Sequence, residues 1–216
     1  MSKKNLFRFF VVFFLRECNL LAELASNGVT MLNNEKRLLQ RIQEGETELF
    51  TQIADHYSRA IFTLVVRIVG SAEEAEELTQ DIFMKAFENL EYFSHRSTFS
   101  TWLYRIAYNT ALSFARRKRP TQIVINERTM ATIGDEQIEQ MEQSFDQETI
   151  DALKRSIEML DADEKALITL FYYEERSIAE CAEIMGQSLS NTKVRLHRTR
   201  KKLYILITEK RYEKEL

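Results

Sequence analysis

Apolar residues recur at three- and four-residue steps along most of the chain, the signature of helices with one buried stripe. From Asn33, the series Leu38, Leu39, Ile42, Leu49, Phe50, Ile53, Tyr57, Ile61, Phe62, Val65 and Val69 predicts helix, interrupted at Gly45 and ended at Gly70-Ser71. A new helix starts at about Ser71 and continues through Leu78, Ile82, Phe83, Ala86 and Phe87. Its acid-rich first turns suit the positive end of a helix dipole. The period lapses over 90–98, which reads as a loop. Phe99 to Lys118 predicts a further helix burying Trp102, Leu103, Ile106, Ala107, Thr110 and Leu112. Pro120 ends it, because proline has no amide hydrogen to continue the ladder.

Residues 121–148 hold no sustained period and are rich in Gln, Glu and Asp, so they read as a mobile linker. Helical spacing resumes with Ile150, Leu153, Ile157 and Leu160. Asp161 then caps a helix over Ala162–Tyr173. Ser177 with Glu180 forms a capping box for the next helix, whose apolar positions are Ile178, Ala179, Ala182 and Ile184. Gly186 supplies a turn, and Ser188 caps a last helix with Leu189, Thr192, Leu196, Thr199 and Leu203 on one face. Asn191, Val194, Arg195 and Arg198 fall on the opposite face. This is the layout of a helix-turn-helix whose second helix enters a DNA major groove. The plainer alternative is a helical hairpin with a solvated basic face.

One proline and five glycines in 216 residues, with 29% charged, fit an all-α protein of two small domains. The net charge of −3 hides blocks of opposite sign. Ser190–Lys214 carries nine Lys/Arg against two Glu, and Arg105–Arg119 carries five Lys/Arg and no acid. Between them, Asn126–Asp151 sets eight acids against Arg128 alone. Two basic segments around an acidic spacer suggest two nucleic-acid contacts on one chain. Cys18 and Cys181 make no disulfide framework, and His56, His95 and His197 stand at no metal-ligand spacing, which suits a reducing cytoplasm.

The stretch Ala75–Phe87, followed by Phe99-Ser-Thr-Trp-Leu-Tyr-Arg-Ile-Ala-Tyr-Asn-Thr110 and the run Arg116-Arg-Lys-Arg119, resembles region 2 of bacterial sigma factors. The C-terminal helix-turn-helix resembles their region 4. With no extended region 1 or globular region 3, the chain is similar to the extracytoplasmic-function (ECF, group 4) sigma factors. The resemblance covers 34–118 and 149–206. It implies domains at 31–119 (region 2) and 149–216 (region 4), joined by a flexible acidic linker over 120–148. It also implies promoter-directed initiation with the polymerase core, an anti-sigma partner and a cytoplasmic setting. No catalytic residue, cofactor, metal or small-molecule substrate is expected.

Residue roles follow from the matched blocks. Glu77, Gln80, Asp81 and Met84 share one helix face, which the resemblance assigns to the β′ clamp of the core; a plain acidic solvent face is the alternative. The loop Ser94–Phe99, with Ser97 and Phe99, would capture a flipped base of the −10 element. Arg105 and Asn109 would support the adjacent strand, and Arg116, Arg117, Lys118 and Arg119 its phosphates. Trp102 reads as core rather than a stacking platform. In the last helix, Ser190, Asn191, Val194, Arg195 and Arg198 are placed to read the −35 element. Arg suits guanine edges, Asn adenine, and Val a thymine methyl. Lys193, Arg200, Lys201 and Lys202 would hold phosphates. Ser190-Asn-Thr-Lys-Val-Arg195 stands where the family often has Gly-Thr-Val-Lys-Ser-Arg, so no −35 sequence transfers.

Two rival readings use the same residues. A free-standing regulator would bind duplex DNA through the helix-turn-helix alone, and an adaptor would use the N-terminal helices to bind a protein. Neither has need of the 75–119 constellation. The apolar run Leu6–Leu15 is too short to span a bilayer and leads into Arg16-Glu17 rather than a cleavage site. The expectation is that translation starts at Met31, with 1–30 a dispensable extension; an amphipathic anchor is the alternative.

Overall fold

The computed structural model describes residues 35–118, 130, 132–134, 136–138 and 147–212, and every regular element among them is helical. The 1–30 extension, Arg119 and most of the 120–148 spacer lie outside the described residues. Helix α1 covers 35–43, α2 Phe50–Val69, α3 Ala72–Glu88 and α4 Phe99–Arg117. In the C-terminal half, α5 is Gln147–Glu158, α6 Ala162–Ile168, α7 Ile178–Met185 and α8 Leu189–Tyr212.

Local chemistry sets the helix ends. Gly70 closes α2 in the left-handed conformation at φ 80°, where its amide still reaches the Val66 carbonyl. Ser71 then opens α3 and Thr98 opens α4, each side chain accepting from the amide three residues on. Asp161 and Glu164 cap α6 reciprocally, as Ser177 and Glu180 cap α7. Helix α6 does not run on as α-helix to Tyr173. It widens into a π turn over Thr169–Tyr173, closed by the Glu174 amide on the Thr169 carbonyl.

The predicted stripes form the core. Ile61, Leu64 and Val65 of α2, Ile82 of α3 and Leu103 of α4 are fully enclosed, each such side chain contributing roughly 1.5–3 kcal/mol by leaving water. The core does not stop at the end of α4. It continues through Leu153, Leu167, Leu170 and Ile184, so the two helical domains share one apolar interior. They meet where α4 packs on α6 and α7, and where α2 packs on α6. Within the spacer, Ile133 and Ile138 are buried against Ile205 of α8.

Candidate nucleic-acid and polymerase interface

The helix-turn-helix is built as the sequence predicts. Gly186 takes φ 66° between α7 and α8, and the Ser188 hydroxyl accepts from the Asn191 amide at 3.2 Å. Thr192, Leu196, Thr199 and Leu203 are buried; Leu189, expected beside them, is 46% exposed as the first residue of α8. Ser190, Asn191, Lys193, Val194 and Arg198 face outward, whereas Arg200 and Lys201 are half-buried. Two of the assigned DNA contacts also depart from expectation. Lys202, assigned to phosphate, is buried and donates to Glu164 at 2.6 Å, so it is a core ion pair. Arg195 turns inward, with its guanidinium 3.9 Å from Asp163.

On the N-terminal half, Phe99 is 2% exposed and closed in by Tyr57, Phe93 and Trp102. Its ring is core and has no free face for a base, which corrects the stacking role given to it. Its ring neighbours come from three places, Tyr57 of α2, Phe93 of the loop and Trp102 of α4. Trp102 is the half-buried cover of that cluster. Beside it opens a cavity of about 760 Å³. His95, Ser97 and Thr98 of the 90–98 loop line one side, and Glu174 and Arg176 from the C-terminal half line another. Arg105, Asn109, Arg116 and Arg117 are exposed along α4, and Lys118 is salt-bridged to Glu74. Glu77, Gln80, Asp81 and Met84 are all exposed on one side of α3, with Met84 at 62% and Phe87 beside it at 41%.

The contact between the halves is polar at its rim. The Tyr108 hydroxyl donates to Asp163 in the first turn of α6, and the same carboxylate lies 3.6 Å from Arg116. The Tyr104 hydroxyl donates to Glu174. Arg176 lies over the Tyr104 ring at 4.4 Å and donates to Ser100 Oγ at 2.5 Å. Arg67 lies over Tyr173 at 5.0 Å. Burial first, then the neighbouring carboxylates, pushes the Tyr104 and Tyr108 phenols well above their ordinary value. Burial raises the Glu174 carboxyl too, against the pull of the Tyr104 hydroxyl and the Arg176 charge. Burial likewise pushes the Cys181 thiol up to about 12. Asp163, Glu174 and Arg176 carry no sequence signal of this role. Their partners lie 55 to 76 residues away, and only the cap chemistry around Asp161 and Ser177 was local enough to read.

Among the described residues no helix is long and apolar enough to cross a membrane. Residues 53–121 match the family "Sigma-70 region 2", and 150–203 match "Sigma-70, region 4". The ECF RNA polymerase sigma factor SigW of Bacillus subtilis is 29% identical, over 78% of this chain and 94% of its own length. The RNA polymerase sigma-H factor of Pseudomonas aeruginosa is 33% identical, over 77% of this chain and 90% of its own. Among solved structures, the sigma factor RpoE in complex with the anti-sigma factor NepR from Bartonella quintana superposes with a TM-score of 0.52. It is 25% identical, covering 74% of this chain and 96% of that one. With both blocks matched in order and relatives covered nearly end to end, the chain belongs to the sigma-70 family, as an ECF RNA polymerase sigma factor.

Proposed function

We propose that this sigma factor docks on the polymerase clamp through α3, melts the −10 element with the 90–98 loop and α4, and reads −35 with α8. As a sigma factor it directs the polymerase core to specific promoters. The observation that carries the division of labour is the separation of chemistries. An exposed acidic face on α3, with Met84 and Phe87 added, suits a protein partner; the exposed Asn191, Val194 and Arg198 on a capped second helix suit base edges. Lys193, Arg200, Lys201, Arg116 and Arg117 supply phosphate contacts that give affinity and salt dependence without sequence choice. Base capture falls to the loop side chains around Ser97, which line the cavity. Nucleotide addition belongs to the polymerase, and this chain works in the cytoplasm without covalent chemistry of its own. The complex of the relative RpoE with NepR supports an anti-sigma partner here as well.

Reconstituted transcription tests this reading: purified chain plus sigma-free core polymerase on a library of promoter duplexes. Start sites that depend on the chain, with shared −35 and −10 letters, are the expected result. Absence of both transcripts and core binding would return the chain to the class of free-standing DNA binders.

A further inference from the structure

We propose that Gln187, in the turn before the recognition helix, is a positioning residue that aims the Asn191 carboxamide and so sets which base Asn191 accepts. The inference rests on the base-reading role proposed above for α8. Asn191 Nδ2 donates to Gln187 Oε1 at 3.3 Å. The two residues are four apart, so Gln187 continues the outward stripe of Asn191, Val194 and Arg198 one turn back, ahead of the helix. Gln187 is half-buried and Asn191 exposed, so the anchored partner holds the one that faces solvent.

Both backbones are fixed. The Gln187 amide donates to the Ala182 carbonyl at 2.9 Å and the Gly186 amide to the Glu183 carbonyl at 3.2 Å, the paired bonds of a Schellman turn. On the other side, Ser188 Oγ accepts from the Asn191 amide, which makes Asn191 the third residue of α8. In α6 and α7 that place holds Glu164 and Glu180, whose side chains reach back to their own cap amides. Asparagine is one methylene shorter. Its side chain bonds Gln187 instead, and Ser188 caps α8 without it.

The bond decides which hydrogen-bonding groups are left for DNA. A carboxamide has two N–H donors and one acceptor oxygen. With one N–H held by Gln187, Asn191 keeps one N–H and Oδ1. That is the donor–acceptor pair adenine requires through N7 and its N6 amino group, whereas guanine offers two acceptors, N7 and O6. A held Oδ1 is set against guanine O6, so the wrong base meets repulsion as well as a lost bond. A carboxamide free to turn over would give its NH2 to guanine as readily as its oxygen to adenine.

The test is transcription by the full-length chain with sigma-free core polymerase on promoters varied one −35 base pair at a time. Asn191→Ala identifies the base pair that Asn191 reads. Gln187→Leu removes the acceptor with little change in bulk, and should lower the adenine-over-guanine preference at that same pair about fivefold or more. Gln187→Glu should retain most of that preference, because a carboxylate still accepts from Nδ2, although its charge weakens binding to every promoter. Added to Asn191→Ala, Gln187→Leu should flatten the pair no further. A folded Gln187→Leu chain with the parental preference overturns the proposal, as does a Gln187→Glu chain that loses the preference as fully as Gln187→Leu. If Gln187→Leu does not fold, the free parent chain decides by NMR: the Asn191 side-chain amide should have an order parameter above about 0.6, and a freely averaging amide overturns the proposal. Asn191→Ala with every −35 letter unchanged would instead sink the base-reading role itself, and the inference with it.

Discussion

Tyr108 and Asp163, 55 residues apart in sequence, are joined by a hydrogen bond from the phenol to the carboxylate across the seam between the two helical domains. Tyr108 is 3% exposed, so its hydroxyl has little recourse to water if the bond is lost. Hydrogen bonds to charged partners are worth roughly 1.5–3 kcal/mol where buried. Asp163 keeps Arg116 and Arg195 as neighbours, which softens the loss on its side. Tyr108→Phe should therefore lower stability by about 1–2 kcal/mol in denaturant titrations. A double-mutant cycle with Asp163→Asn should show a coupling of at least about 0.5 kcal/mol. Strict additivity of the two substitutions would mean that the pair carries no energy.

The seam should also be sensitive to alkali. Tyr57, Tyr104 and Tyr108 have folded-state pKa values raised above the unfolded value near 10, with burial the leading cause in each. A group raised in this way stabilises the fold fully below its unfolded pKa, and that contribution is lost as pH climbs through the folded value. Stability should accordingly be flat in this respect up to about pH 10 and fall steadily above it. The phenolates would sit against Glu35, Glu174 and Asp163, with Arg176, Arg116 and Arg195 offering only partial relief. Tyr104→Phe combined with Tyr108→Phe should flatten the alkaline limb of a melting-temperature profile. An unchanged limb would place the titration elsewhere.

Lys202 separates packing from DNA binding. Its ammonium is buried against Glu164, which also accepts from the Asp161 amide in the α6 cap. Removing one member of a buried pair strands the other, so Lys202→Met should cost about 2–3 kcal/mol of stability. The salt dependence of promoter binding should not change, because the residue neutralises no phosphate in this arrangement. Lys193→Met is the contrast: exposed on α8, it should leave stability alone and shallow the log–log salt slope by about one unit. A changed slope for Lys202→Met would restore the phosphate role.

These contrasts mark how far sequence carries. Helices α2, α3, α4, α7 and α8 are legible because each has a periodic stripe and a capping residue within four positions of its end. Most of the outward set on α8 is legible for the same reason, since helical phase separates Asn191, Val194 and Arg198 from Thr192, Leu196 and Thr199, whereas Arg195 shares that phase and still turns to Asp163. Phase fails at element ends, where Leu189 escapes its stripe and Phe99 joins the core through a loop that no period describes. It fails again for long-range pairing. Lys202 has the same local context as the phosphate-binding cations around it, and only Glu164, 38 residues away, decides its fate. The π turn at Thr169–Tyr173 has the apolar pattern of ordinary helix, so the periodicity could not distinguish them.

Gly186 tests whether the recognition helix is aimed by its turn. At φ 66° it occupies a conformation that costs an L-residue roughly 1–2 kcal/mol, while its amide hydrogen bonds the Glu183 carbonyl to finish α7. A Cβ added there would meet only Arg105 Nη2, at an ordinary 3.9 Å, so strain rather than collision governs Gly186→Ala. The expected loss is about 1 kcal/mol of stability, with Gly186→Asn milder because asparagine tolerates the left-handed region. If the turn merely ends α7, promoter affinity should fall no further than stability predicts. If it sets the angle at which α8 presents Asn191, Val194 and Arg198, promoter-dependent transcription should drop several-fold for Gly186→Ala at temperatures where the chain remains folded, and Gly186→Asn should recover most of it. We expect the second result, because Gly186 and Gln187 lie between the last residue of α7 and the Ser188 cap, and leave no slack to absorb a changed turn.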